Sequence, residues 1–105
     1  MKLNEYQKAV LGYRLPSADS MYVVLGLAGE AGEVCSAVAK GIRDGISDDK
    51  AFVDNLKKEL GDVLWFIAAI ADDLNLTLED VAVSNCVKLD SRAERQVLGG
   101  SGDNR

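Results

Sequence analysis

Arg43-Asp44-Gly45-Ile46-Ser47-Asp48 reads as a turn between two long apolar stretches. Gly45 can stop a helix that arrives from the N-terminal side, and Ser47 or Asp48 can cap one that leaves. On either side lie two pairs of carboxylates, Glu30 with Glu33 and Glu59 with Asp62, each spaced i, i+3 and so projecting from a single helix face. The midpoint of Glu33 and Glu59 is position 46, and so is the midpoint of Glu30 and Asp62. If the chain doubles back there, all four acids arrive at one height on facing helices. At a rise of ~1.5 Å per residue that height is about 20 Å from the turn, well inside a bundle.

A lone Glu-x-x-Glu on an amphipathic helix is ordinary surface. Three features separate these pairs from one. Between Val23 and Ala39 the only charges are Glu30 and Glu33, and between Leu60 and Ala71 the only one is Asp62. Glu30, Glu33 and Glu59 have no Lys or Arg at i±3 or i±4, where surface acids usually find one; Asp62 alone has Lys58. The third feature is the mirror placement about position 46. Two carboxylates ~4 Å apart repel by about 4 kcal/mol at an effective dielectric of 20. Four together exceed what many small domains can tolerate, unless they face water, take up protons or bind a cation. The donors are hard oxygens and the chain has no histidine, which removes a di-iron site of the Glu-x-x-His kind and disfavours zinc. Mg²⁺ is the natural guest, with Mn²⁺ as a substitute.

The rest of the chain extends this hairpin into an all-α, four-helix bundle-like subunit. A short first helix carries Leu3, Tyr6, Val10 and Tyr13 along one side, with Asn4 and Gln7 as a capping box and Pro16 as its end. The hairpin helices run from Asp19 or Ser20 to about Arg43, and from about Asp49 to Asp73 or Leu74. Thr77 with Asp80 starts a fourth, whose apolar stripe is Leu78, Ala82, Cys86, Leu89 and Ala93. Residues 1–98 form one domain, and Gly99 to Arg105 reads as a flexible tail. No segment alternates with the period of a strand.

At 105 residues and a net charge of -5, the chain lacks the basic face that general nucleic-acid binding requires. Cys35 and Cys86 fall in apolar helical runs without metal-ligand spacing and read as buried free thiols, in keeping with a reducing, cytoplasmic setting. No signal peptide is visible, and no run reaches the ~18 uninterrupted apolar residues of a membrane span.

Other residues carry two readings. Gly26, Gly29 and Gly32 each cost about 1 kcal/mol inside a helix, so they mark either close helix contact or room for a ligand beside the acids. Asn85, Lys88, Arg92 and Arg95 share one side of the last helix, either as a solvent face balanced by Asp90 and Glu94 or as cations for a phosphate chain. Trp65 and Phe66 suit the core, and Trp65 could also stack on a base.

Gly26-Leu27-Ala28-Gly29-Glu30-Ala31-Gly32-Glu33-Val34, followed by Lys58-Glu59-Leu60-Gly61-Asp62-Val63-Leu64-Trp65, resembles the MazG-like nucleoside triphosphate pyrophosphohydrolases, part of the all-alpha NTP pyrophosphohydrolase superfamily. The resemblance runs from about Tyr22 to Arg95, and Asn85, Lys88, Leu89 and Arg92 are similar to the family's terminal-helix pattern. It implies a Mg²⁺-dependent enzyme that cleaves an NTP or dNTP between the α- and β-phosphates, yielding a monophosphate and pyrophosphate. It also implies Glu30, Glu33, Glu59 and Asp62 as metal ligands, Asn85, Lys88, Arg92 and Trp65 toward substrate, and a dimer or dimer of dimers. Glu30 or Glu33 would orient or deprotonate the attacking water. The sequence departs from longer relatives after Arg92, where Ala-Glu-Arg replaces an aromatic-proline ending. Two rival expectations are a phosphoribosyl-ATP pyrophosphatase and a non-catalytic helical interaction module.

Overall fold

Local chemistry sets most of the helix ends. In the computed structural model, which describes residues 1–105, α1 spans Leu3–Leu11, α2 Ser20–Asp44, α3 Lys50–Asp73 and α4 Leu78–Glu94, and there is no strand. The Asp19 carboxylate caps α2 by accepting from the Tyr22 N–H at 2.8 Å. Gly45 closes it at φ 68°, a left-handed conformation that few side chains tolerate, and Ile46 donates back to the Gly41 carbonyl at 3.0 Å. Thr77 and Asp80 form the expected reciprocal cap of α4, at 3.0 and 3.1 Å.

Two expected caps are absent. Asp49, not Ser47 or Asp48, precedes α3, and its side chain makes no capping bond. Asn4 and Gln7 are not a capping box, because α1 begins at Leu3 and their amides reach across the fold instead. Asn4 brackets Glu79 with two bonds, at 3.1 and 3.2 Å. Gln7, buried, donates to the Ala68 and Leu76 carbonyls and accepts from the Leu78 N–H at 3.0 Å. Both therefore tie α1 to the start of α4 and satisfy groups that would otherwise be unpaired. α1 ends at Leu11, ahead of Pro16.

The α2–α3 hairpin has the expected register. A methyl group at Gly26 would overlap the Phe66 ring, and one at Gly41 would overlap the Phe52 ring. These pairings centre on positions 46 and 46.5, as the turn demands. Val23, Phe66 and Ala69 form the core at the end far from the turn, with Leu11, Leu27, Trp65 and Ile70 around them. Trp65 meets Phe66 edge-on at 5.0 Å, and its indole N–H donates to the Val10 carbonyl at 3.1 Å. Arg14 joins this end by a double hydrogen bond to Asp73, at 2.9 and 3.1 Å.

The bundle does not close within one chain. α4 packs on α1 and α3 but not on α2. The radius of gyration is 16.5 Å, against about 13 Å for a compact domain of this length. The accessible surface is 7624 Å² at 11.2 kDa, against roughly 5,700 Å² for a monomer of that mass. The excess is apolar: Leu25, Ile42, Val83 and Val87 are all more than half exposed. Of the α4 stripe only Leu78 is buried. Both cysteines are free but exposed, not buried, because nothing in the chain covers their faces. α2, whose only charges from Val23 to Ala39 are Glu30 and Glu33, is long and apolar enough to cross a membrane by length and composition.

Residues 99–105 also differ from expectation. They fold back on α4 instead of trailing free, because the Arg105 guanidinium collects the carbonyls of Val97, Leu98, Gly99 and Gly102 at 2.6–3.3 Å. Gly100 and Gly102, at φ 92° and 88°, supply the left-handed turns this loop needs.

Candidate metal centre

Glu30 stands on α2 opposite Asp62 on α3, one turn nearer the hairpin bend than the Gly26–Phe66 contact. That tight crossing brings the two helices close enough for their acids to converge. One carboxylate oxygen each from Glu30, Glu59 and Asp62 lies within 4.8 Å of the others; Glu30 and Glu59 are half-buried and Asp62 is exposed. None of these three, nor Glu33, forms an ion pair with a lysine or arginine. Burial pushes the Glu30 carboxyl above its ordinary range, and the nearby charges of Asp62, Glu59 and Glu33 push it further. The fold thus builds a concentrated negative site whose acids are left without an ion pair. Three hard oxygen donors at this spacing suit Mg²⁺ or Mn²⁺ and offer nothing to a soft metal.

Glu33 lies outside the three-oxygen cluster. It is exposed and shares with Glu59 a groove toward the turn, lined also by Ser36, Lys40 and Asn55. Its charge nevertheless reaches Glu30, so it borders the centre. The glycines of α2 differ in their surroundings. Gly26 is a close-packing residue against Phe66, whereas a methyl group at Gly29 or Gly32 would meet only open space.

Tyr6, which the sequence offered only as a packing residue, comes within electrostatic reach of the centre. It brings a half-buried phenol from α1, whose proton is held more tightly than usual by burial and by the charge of Asp62. Its position in the apolar stripe of α1 gave only a packing signal.

The remaining candidates are not gathered here within one chain. Asn85 and Lys88 line a groove of α1, α3 and α4 with Leu3, Leu64, Ile67 and Val81. Arg92 is buried, and its Nη2 donates to the carbonyls of Gly102 and Asp103 at 3.2 and 2.9 Å. Trp65 packs against the core, with its N–H already engaged.

The MazG nucleotide pyrophosphohydrolase domain matches residues 20–97, which take in the hairpin, its four acids and α4. The chain belongs to the MazG family. A relative from Mycobacterium phage L5, the Gene 37 protein, is 46% identical over 86 residues, covering 80% of this chain and 75% of that protein. No solved structure matches. The matched MazG region begins at α2, so Tyr6 lies outside it, and so do Asp103 and Arg105.

Proposed function

We propose that this MazG chain is a Mg²⁺-dependent nucleotide pyrophosphohydrolase, acting on an NTP or dNTP between the α- and β-phosphates to release a monophosphate and pyrophosphate. The observation that carries this reading is the convergence of three oxygens from Glu30, Glu59 and Asp62 within 4.8 Å, none of them in an ion pair with a lysine or arginine. Mg²⁺ or Mn²⁺ held there would supply charge neutralisation for a polyphosphate and acidify a bound water. Glu30, Glu59 and Asp62 hold the ion. Glu33, exposed and at the margin of the cluster, is free to orient a water and take its proton, as is Glu30 when it is not committed to the ion. Lys88 and Arg92 offset charge on the phosphate chain, and Asn85 fixes its orientation.

These α4 groups serve a site on α2 and α3 most directly across a subunit boundary. The surface excess of roughly 1,900 Å² over a compact monomer is more than one partner gives up in a standard interface, about 800 Å². It supports a homodimer or dimer of dimers, with apolar faces of α2 and α4 covered by the partner. The exposed free thiols fit a reducing, cytoplasmic location.

Purified protein incubated with Mg²⁺ and a panel of NTPs, dNTPs and phosphoribosyl-ATP is expected to release pyrophosphate from the common triphosphates. Glu59→Gln is expected to abolish that release while the helical circular-dichroism signal persists. Full activity in this variant refutes the metal assignment, and activity on phosphoribosyl-ATP alone moves the chain to the rival enzyme.

A further inference from the structure

Arg92 is the most confined charge in the protein. It is 5% exposed, its Nε finds no partner, and its Nη2 is shared among the carbonyls of Gly102 and Asp103 and the Asp103 carboxylate, the last at 3.3 Å. Lys88, one turn earlier on α4, donates to the same Asp103 oxygen at 3.2 Å. A single carboxylate oxygen thus sits between two cations and leaves the buried guanidinium Nε without a partner. Arg and Lys held side by side in this way are an anion site.

The anion that fills it is lightly held. Asp103 is 82% exposed, so its return to water costs little, and ion pairs of such exposure contribute little to stability. Its two hydrogen bonds keep it below the ordinary carboxylate range, so it is charged throughout the neutral range. The loop that delivers it is shaped by Arg105, whose guanidinium gathers four carbonyls, and by the left-handed glycines 100 and 102. A phosphate group carries more charge than a carboxylate and three oxygens to its two. It is therefore the better partner for an arginine whose Nε is unused and a neighbouring lysine.

We propose that residues 96–105 are an anion-mimicking strap: Asp103 occupies the Lys88–Arg92 pair, and a substrate phosphate gains those cations only by displacing it. The proposal rests on the nucleotide reading above for the identity of the natural anion, but not for the existence of the site. It makes the strap a brake on polyphosphate binding, set by Asp103 and latched by Arg105.

The test uses full-length protein and inorganic tripolyphosphate, titrated calorimetrically in the presence of a chelator so that the carboxylate centre plays no part. Asp103→Asn is expected to bind tripolyphosphate about two- to fivefold more tightly than the parent, the scale of an exposed ion pair. Arg105→Ala, which unlatches the loop, is expected to gain at least as much. Asp90→Asn makes the same change in net charge elsewhere on α4 and is expected to leave binding unchanged. Lys88→Ala in the Asp103→Asn background is expected to remove the gain. Equal or weaker binding by Asp103→Asn overturns the strap, and so does an equal gain in Asp90→Asn. In the nucleotide assay the same variant is expected to lower KM with kcat unchanged. A parent that releases pyrophosphate from no nucleotide, while the tripolyphosphate differences hold, removes the enzyme reading and leaves the strap standing.

Discussion

Replacing Glu30 by Gln should make the metal-free protein more stable and the Mg²⁺-loaded protein less so, reversing the order of the two melting curves. The three clustered oxygens lie within 4.8 Å of one another. Charges at that separation repel by ~3.5 kcal/mol at a dielectric of 20 and by ~0.9 kcal/mol at that of water. Glu30 and Glu59 are only half-buried and Asp62 is exposed, so the lower figure governs and salt reduces it further. Glutamine removes two of the three repulsions, a relief of about 1–2 kcal/mol, and in a domain of this size 1 kcal/mol moves Tm by about 4–8 °C. Because the folded Glu30 carboxyl titrates above its ordinary range, the parent is least burdened below the unfolded value and loses stability as pH rises through the folded one. The advantage of Glu30→Gln in chelator should therefore be full near pH 8 and vanish in acid. Saturating Mg²⁺ at about a hundred times its Kd should add ~2.7 kcal/mol to the parent and little to the variant. Differential scanning calorimetry with chelator, and then with Mg²⁺, reads both arms. A variant that melts below the parent in chelator, or gains as much from Mg²⁺, refutes the reasoning.

The glycines of α2 should separate by substitution. Gly26→Ala drives a methyl group into Phe66 and should cost about 1–3 kcal/mol in thermal unfolding. Gly29→Ala meets open space and should stabilise the free protein by ~1 kcal/mol; if the space beside Glu30 serves the ligand, the same variant should raise KM. The Arg14 bond holds the Asp73 carboxyl below its ordinary range, so its contribution is present above the unfolded value and lost as pH falls through the folded one. Asp73→Asn should accordingly flatten the acid limb of a stability–pH profile, and an unchanged limb excludes that role. Leu25→Glu and Val87→Glu place charges on the uncovered apolar faces and should reduce the mass measured by light scattering to that of a single chain.

Much of this protein was legible in one dimension. The symmetry of two acidic pairs about Ile46, the glycine stop at Gly45 and the reciprocal cap of Thr77 and Asp80 all depend on spacing within a few residues or on a short fold-back. Both are governed by the regular rise of the helix. The register of the hairpin and the meeting of Glu30, Glu59 and Asp62 followed from them. Local pattern failed where a side chain had a local and a distant option of equal chemistry. Gln7 could cap its own helix or bridge two others, and only the packing of α1 against Ala68 and Leu76 selected the second. The glycine-rich end looked mobile because composition ignores a single guanidinium that can collect four carbonyls at once. The charges and periodicities of the hairpin and α4, the Gly45 stop and the Thr77–Asp80 cap were determined by sequence because they are short-range. Tertiary structure alone decided that Tyr6 feels the charge of Asp62, that Arg92 is confined under Asp103 and that apolar faces are left open. Those depend on distances between helices, which no spacing along the chain encodes.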